Sequence, residues 1–283
     1  MGTSDNGQEV LRQNLEEKGT FQALYQMHLL FREKGKRPEG KKILGRLQKE
    51  FGQVDLVADV DHSLATFAIA DFPVEYKKDK KVIPAQVLMA DFTPFDPASV
   101  DRMQRSQLWD CPDGEKLLDS CKYKLMLSDF LAAGLEYKLR CRMLARWLEI
   151  ALELFDDCVG VWIPASGKLL TRQQLLNNPY RGDDRFLYFG VNIRFFNIQG
   201  TEDMMVDSLG FLGIFGGMVL GILVVAVVIG ICLVIFVFNP LEIGARRFFY
   251  RNINEKAELK EVGFGFDRNY LGNVKTMFLR DLY

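Results

Sequence analysis

The sequence predicts an α+β (mixed α/β) soluble domain followed by a single transmembrane α-helix and a short juxtamembrane helical tail. Three observations carry this. Over residues 21–198 strand-like and helix-like segments are interspersed, and several strands follow one another directly, which favours α+β over a doubly wound parallel sheet. From Ser208 to Leu241 there is no charged residue, although 26% of the chain is charged. Just past that run, Arg246, Arg247 and Arg251 stand beside Phe248, Phe249 and Tyr250.

Residues 1–18 read as a flexible tail with no apolar signal-peptide core. The start "MGTSDN" approaches the myristoylation pattern but has Asn6 where Ser or Thr is required. "FQALYQMHLLF" (21–31) alternates, with Phe21, Ala23, Tyr25, Met27, Leu29 and Phe31 on one strand face. "PEGKKILGRLQKEF" (38–51) reads as a helix with Pro38 near its first turn. "VDLVADV", "HSLATFAIA" and "AQVLMADF" read as strands broken by Asp, Pro and Lys clusters. "DPASVDRMQRSQLW" and "PDGEKLLDSC" read as short helices started by Asp or Pro.

"YKLMLSDF" (123–130) is a further strand. In "LEYKLRCRMLARWLEIALELF" (135–155) Tyr137, Leu144, Trp147, Leu148, Ala151 and Leu154 recur at helical spacing, so this helix packs on the sheet. "CVGVWIPASG" reads as a buried strand ending in a turn, and "TRQQLLNN" as a short helix stopped before Pro179. "RFLYFGVNIRFFNI" (185–198) reads as one long strand, with Leu187, Phe189, Val191, Ile193 and Phe195 on an apolar face. "TEDMM" after it reads as an acidic helix start. The domain so defined spans 19–207.

Residues 209–238 are uninterruptedly apolar, longer than the about 20 residues that a bilayer span needs. The best-formed part is Met218–Phe238. Gly213, Gly217 and Gly221 recur every four residues, the spacing that lets a second membrane helix approach, and so suggest helix–helix self-association. Asn239 and Pro240 suit the cap and first position of a new helix. Residues 239–283 read as an amphipathic juxtamembrane segment in which Arg246, Arg247 and Arg251 sit at the lipid headgroups. The lipid bilayer is thus the expected partner.

Orientation brings two arguments into conflict. The flank 241–260 is rich in Arg and Lys and the flank 186–207 is not, so positive-inside counting puts the C-terminal side in the cytoplasm. The first domain has no signal peptide, and its cysteines suggest a reducing compartment. Cys111, Cys121, Cys141, Cys158 and Cys232 are irregularly spaced with no CxxC pair, which argues against a disulfide framework or a zinc site.

The chemistry-bearing patterns are sparse. A net charge of −1 offers no basic face for nucleic acid. His28 lies on the less apolar face of its strand. Asp59, Asp61 and His62 are adjacent in sequence, but strand alternation puts His62 opposite the two carboxylates, a poor metal geometry. "PASGKLL" lacks the full phosphate-binding loop, "GFGFD" lacks a third glycine, and no GxSxG elbow occurs. No cofactor is expected. Trp109, Trp147 and Trp162 are expected in the core. "QRSQLWDCP" (104–112) is either a helix end packed by Trp109 or a ligand-binding edge.

"LLFREKGK", "DSCKYKLMLSDFLAAGLEYKLR", "VWIPASGKLL" and "FGVNIRFFNIQGTEDMMVDSLG" resemble bacterial proteins of the domain-of-unknown-function family 4261, over residues 21–210. From about Phe211, "FVFNPLEIGARRFF" and "GFGFDRNYLGNVKTMFLRDLY" resemble the integral-membrane domain-of-unknown-function family 975. These resemblances imply a junction of two parts, each incomplete, in a bacterial inner-membrane protein whose first domain is cytoplasmic. Neither implies a reaction or a catalytic residue. The expected function is binding or structural; the alternative is a soluble intracellular enzyme or ligand-binding domain fused to a membrane fragment.

Overall fold

The computed structural model of the chain describes residues 11, 20–61, 63–76, 81–198, 200–214, 230, 232–254, 256, 258–267 and 269–282. It divides into two compact units, Met1–Gly216 and Gly217–Tyr283.

The first unit is built on a seven-stranded sheet of order β2-β3-β4-β5-β1-β6-β7, antiparallel at every pairing. The strands are β1 Gln26–Phe31, β2 Val54–Val60, β3 Leu64–Tyr76, β4 Lys81–Pro94, β5 Tyr123–Phe130, β6 Gly160–Ile163 and β7 Lys168–Thr171. The mixed α+β class is therefore as the sequence predicts. Strand β1 starts at Gln26, later than the alternation from Phe21 suggested, because Tyr25 N–H is taken by the Asp129 carboxylate at 2.7 Å rather than by a ladder partner.

Strands β3 and β4 are longer than the sequence reading, and run through Pro73 and Pro84. Proline has no N–H to give a ladder. The two prolines face each other across β3 and β4, beyond a register shift, so neither interrupts the ladder on its own.

Helix α1 (Gly40–Phe51) and the long α4 (Tyr137–Leu154) cover one face of this sheet. Helix α4 starts where Glu136 accepts the N–H groups of Lys138 and Leu139. Trp147, fully buried, lies 6.3 Å from Phe67 and donates its indole N–H to the Leu88 carbonyl at 3.2 Å. Phe31, Phe92 and Phe155 form an aromatic cluster on the same side, with ring centroids 4.7 to 5.8 Å apart. The opposite face carries a smaller core of Leu30, Phe95, Val100, Leu108, Cys111, Leu118, Cys121, Trp162 and Leu169. Because β1 is an interior strand, both its faces are covered, and Leu30 and His28 are buried opposite Met27, Leu29 and Phe31.

Helix α2 (Arg102–Ser106) begins with a capping box from Asp101 and Gln104, α3 spans Gly114–Ser120, and α5 (Arg172–Leu176) repeats the capping box with Thr171 and Gln174. The predicted strand 185–198 is in fact two elements, α6 (Asp183–Gly190) and β8 (Asn192–Asn197). Phe186 and Phe189, three apart and both buried with rings 5.0 Å apart, mark a helical face that the coincidental alternation of Leu187 and Phe189 obscured. The "acidic helix start" is β9 (Met204–Leu209), which pairs antiparallel with β8 in a separate two-stranded sheet.

The transmembrane helix of 209–238 is corrected. Leu209 ends β9, and Gly210 turns the chain with φ +97°. Residues 211–214 are helical but fold back onto the first unit: Gly213 C=O accepts Gln22 N–H at 2.9 Å and Ile214 is buried. Much of the remaining run, 215–229 with residue 231, lies outside the described residues. Among the described residues no helix is long and apolar enough to cross a membrane. The proposed tail 1–18 also lies outside them, apart from Leu11 in the segment that follows its first ten residues.

In the second unit, Val234–Phe238 is a π-helical turn running directly into α7 (Asn239–Asn254). Asn239 has helical φ and ψ, so it continues a helix rather than capping a new one. A 3-10 turn at Leu259–Gly263, α8 (Phe264–Asp267) and α9 (Tyr270–Leu282) complete the unit. Gly244 and Gly265 sit where a Cβ would collide with the carbonyls of Val262 and Pro240, so backbones touch at these two points.

Candidate functional site

The segment after α2 carries the most site-like geometry. Gln107 is buried, and its amide acts as a surrogate peptide group: Oε1 accepts Phe195 N–H at 3.0 Å and Nε2 donates to Phe195 C=O at 3.2 Å. Its backbone carbonyl accepts from Asn192 Nδ2 at 3.3 Å, and that same Nδ2 donates to Gly167 C=O at 3.2 Å. The loop is thereby pinned to the start and middle of β8.

Trp109, expected in the core, is instead 57% exposed, while Trp147 and Trp162 are buried as expected. Its position is still fixed. The indole N–H donates to Gln107 Oε1 at 2.8 Å, and the ring meets Phe195 edge-on at 5.8 Å. Gln107 Oε1 accepts both this bond and the Phe195 N–H, so clamp and platform share one atom.

Trp109 borders a cleft of about 560 Å³. Buried Leu108 and Cys111 form its apolar floor, and Pro112, Asp113, Glu115 and Lys116 its exposed rim. Arg105 also lines it but is committed elsewhere, to Asp119 at 2.9 Å and to the carbonyls of Pro97 and Val100. Burial, then the negative charges of Asp113 and Asp110, push the Cys111 thiol up. A thiol held protonated is a poor nucleophile.

Asp110, next to the platform, pairs with Lys168 at 3.0 Å. Lys168 is buried, donates to Val191 C=O at 2.9 Å, and lies 5.2 Å from the centre of the Tyr188 ring. Burial, then Asp110, then Tyr180 push the Tyr188 phenol up. These partners make Lys168 a structural cation.

The residues singled out in the sequence fall apart in space. Asp59 is used locally, accepting from Arg37 Nη2 at 2.8 Å and from Gly40 N–H at 2.8 Å. Burial would raise its carboxyl, but those two donors hold it below the ordinary value. Asp61 is exposed and His62 lies outside the described residues. Among the described residues no group of three His, Cys, Asp or Glu could hold a metal ion. A Cβ on Gly213 would lie 3.4 to 3.8 Å from Gln22, Tyr25 and Ala165, so this glycine faces its own unit; Gly217 and Gly221 lie outside the described residues.

Arg246, Arg247 and Arg251 each have a carboxylate partner. Arg246 pairs with Glu242 at 2.5 Å, and Arg247 and Arg251 hold Glu261 at 2.7 and 2.5 Å. Arg247 also stacks 3.9 Å from the Phe264 ring centre, and Arg280 joins Glu242. Hydrogen bonds from Arg280 and Arg247 lead the lowering of the Glu242 and Glu261 carboxyls, respectively.

Sequence reasoning singled out 104–112 but missed Gln107 as a clamp and Asn192 and Lys168 as its supports. A glutamine bonding a backbone 88 residues away leaves no local pattern. Comparison with known proteins finds no matching family model, no matching curated protein and no matching solved structure.

Proposed function

We propose that the chain is a binding protein rather than an enzyme, and that its first unit takes a ligand in the cleft bordered by Trp109. The observation that carries this is the state of Trp109: a large aromatic side chain held in one position by Gln107 and Phe195, yet open to solvent over an apolar floor. A pre-ordered aromatic loses little entropy on binding, which is why such groups dominate recognition surfaces. The volume falls within the about 300–1,000 Å³ typical of small-molecule pockets. The groups lining the cleft offer binding rather than turnover, since its thiol is held protonated and Arg105 is occupied.

The test is a small-molecule screen by thermal unfolding of the full chain, repeated on Trp109→Ala. Compounds that raise the transition in the wild type should fail to do so in the variant. Compounds that stabilise both equally would place binding elsewhere and end this reading.

A second reading, association with a lipid bilayer, is supported by the second unit. Phe249, Tyr250, Ile253, Leu259 and Leu271 are among its exposed side chains, with Ile253 80% exposed, and the chain enters the unit through the uncharged run beginning at Ser208. This reading needs no spanning helix, since apolar side chains at an interface suffice. Full chain should co-sediment with anionic vesicles, and Ile253→Asp with Leu271→Asp should reduce this several-fold. Equal sedimentation of the variant would remove it.

From the two family resemblances we also propose that the chain joins two parts. The boundary between compact units at Gly216–Gly217 lies close to the join they imply near residue 210, which supports that reading. Sequencing genomic DNA across codons 195–225 tests it, and a break in the reading frame there would identify an artefactual fusion.

A further inference from the structure

A second cavity of the first unit lies between α4 and the start of α6. It measures about 140 Å³ and is lined by Arg142, Ala145, Arg146, Arg181, Gly182 and Arg185. Four of these six residues carry guanidinium groups. Arg142 and Arg146 are one turn apart on α4 and so share a helix face. Arg181 and Arg185 flank the first residues of α6.

Like charges gathered this closely raise the free energy of the fold unless opposite charge lies among them. Carboxylates supply part of it. Glu149 accepts from Arg146 Nη1 at 2.7 Å and also pairs with Arg185, and Glu50 pairs with Arg146 at 3.1 Å. Arg181 is different. It forms no ion pair among the described residues, and its bonds run from Nη1 to the carbonyls of Asn178 at 2.6 Å and Tyr180 at 3.0 Å. Arg181 is exposed, so its remaining N–H groups are open to solvent and to a dissolved anion.

We propose that this pocket binds a small tetrahedral oxyanion of the phosphate class, with Arg181 as the principal donor and Arg142, Arg146 and Arg185 completing the shell. A guanidinium presents paired N–H groups in a plane that match two oxygens of such an anion, and its charge persists at all physiological pH values. Two backbone carbonyls fix Arg181 Nη1, which orients the fork in advance. The volume suits a single phosphoryl group rather than a nucleotide or drug-sized ligand. The same chemistry is offered by free phosphate and by a phosphomonoester lipid headgroup.

The experiment is calorimetric titration of the full chain with inorganic phosphate, at constant ionic strength set with chloride. Saturable binding is expected, weakened at least tenfold in Arg181→Ala and less in Arg181→Lys. A parallel arm measures co-sedimentation with vesicles containing phosphatidic acid against vesicles of phosphatidylcholine alone. Loss of phosphatidic acid binding in Arg181→Ala, with none for free phosphate, supports the same site and assigns the anion to a lipid headgroup. Thermal unfolding in phosphate-free buffer serves as control, since Arg181→Ala should unfold at the wild-type temperature. Absence of binding in both arms, or binding unchanged by Arg181→Ala and Arg185→Ala, overturns the proposal.

Discussion

Arg140 and Asp129 form an ion pair from which solvent is excluded: Nε lies 2.5 Å from Oδ2, and the two side chains are 1% and 0% exposed. The pair also organises the chain around it. The other Asp129 oxygen accepts Tyr25 N–H at 2.7 Å, and Arg140 Nη2 donates to the carbonyls of Gln22 at 2.7 Å and Ala23 at 3.4 Å. The segment entering β1 is thus tied to β5 and α4 at once. Among the described residues Arg140 Nη1 has no hydrogen-bond partner, but the guanidinium carbon lies 5.2 Å from the centre of the Phe21 ring.

Removing one member of such a pair leaves an uncompensated buried charge, which costs about 3–5 kcal/mol. Asp129→Ala and Arg140→Met should each destabilise the first unit by that order, and the double variant by clearly less than their sum. Urea unfolding followed by tryptophan fluorescence reads this unit alone, because Trp109, Trp147 and Trp162 all lie within it. Additive losses in the double variant would show that the two charges are not coupled.

His28 makes stability depend on pH in a predictable direction. Burial pushes its imidazole down to about 4, and the positive charge of Lys124 adds to this. The unfolded chain takes up the proton near pH 6.5 and the folded chain only near 4, so the unfolded state binds more protons in between. The contribution is complete above about pH 6.5 and is lost as pH falls toward 4, amounting to about 3 kcal/mol over the window. His28→Gln should lose less stability than the wild type between pH 7 and pH 4.5. Parallel pH profiles for the two proteins would show that His28 takes no part.

Much of the sheet was legible because its residues obey period two. Met27, Leu29 and Phe31 on β1 and Leu125 and Leu127 on β5 are buried as their alternation requires. Helix α4 was legible because Leu144, Trp147, Leu148 and Ala151 repeat at helical spacing and are all buried. The misread elements at 183–190 and 204–209 share a cause, which is that short elements carry too few residues to reveal a period. In 183–190 two phenylalanines three apart decided for helix, against an alternation that continued into a genuine strand. Trp109 was misplaced because size and apolarity argue for burial, whereas its fate depends on Gln107 and Phe195, which are distant in sequence or share no pattern with it.

The Gln107 amide holds both the N–H and the C=O of Phe195 on β8. Gln107→Ala removes two hydrogen bonds to the strand and one to the indole, and the partners left unsatisfied cost about 1–3 kcal/mol each where buried. A loss of about 2–4 kcal/mol is expected, reduced from the simple total because Phe195 and Trp109 can regain water. Trp109 should also become more mobile, read as a fall in its fluorescence anisotropy in a Trp147→Phe, Trp162→Phe background that still folds. Unchanged anisotropy would mean that Phe195 alone positions the ring.

The five thiols should differ sharply in reactivity. Cys111, Cys121, Cys141 and Cys158 are buried, while Cys232 is exposed. Burial pushes the Cys158 thiol up to about 12 and also leads the raising of Cys111 and Cys121. The thiolate is the reacting species, so burial slows these groups twice, by access and by protonation. With a disulfide-exchange reagent at pH 8, the native chain should release one equivalent rapidly and the remainder only at the rate of unfolding, whereas denatured protein should release all five at once. Cys232→Ser should abolish the rapid phase. A rapid phase that survives this substitution would show that one of the four core thiols is open to solvent, and would point first to Cys111, which floors the cleft beside Trp109.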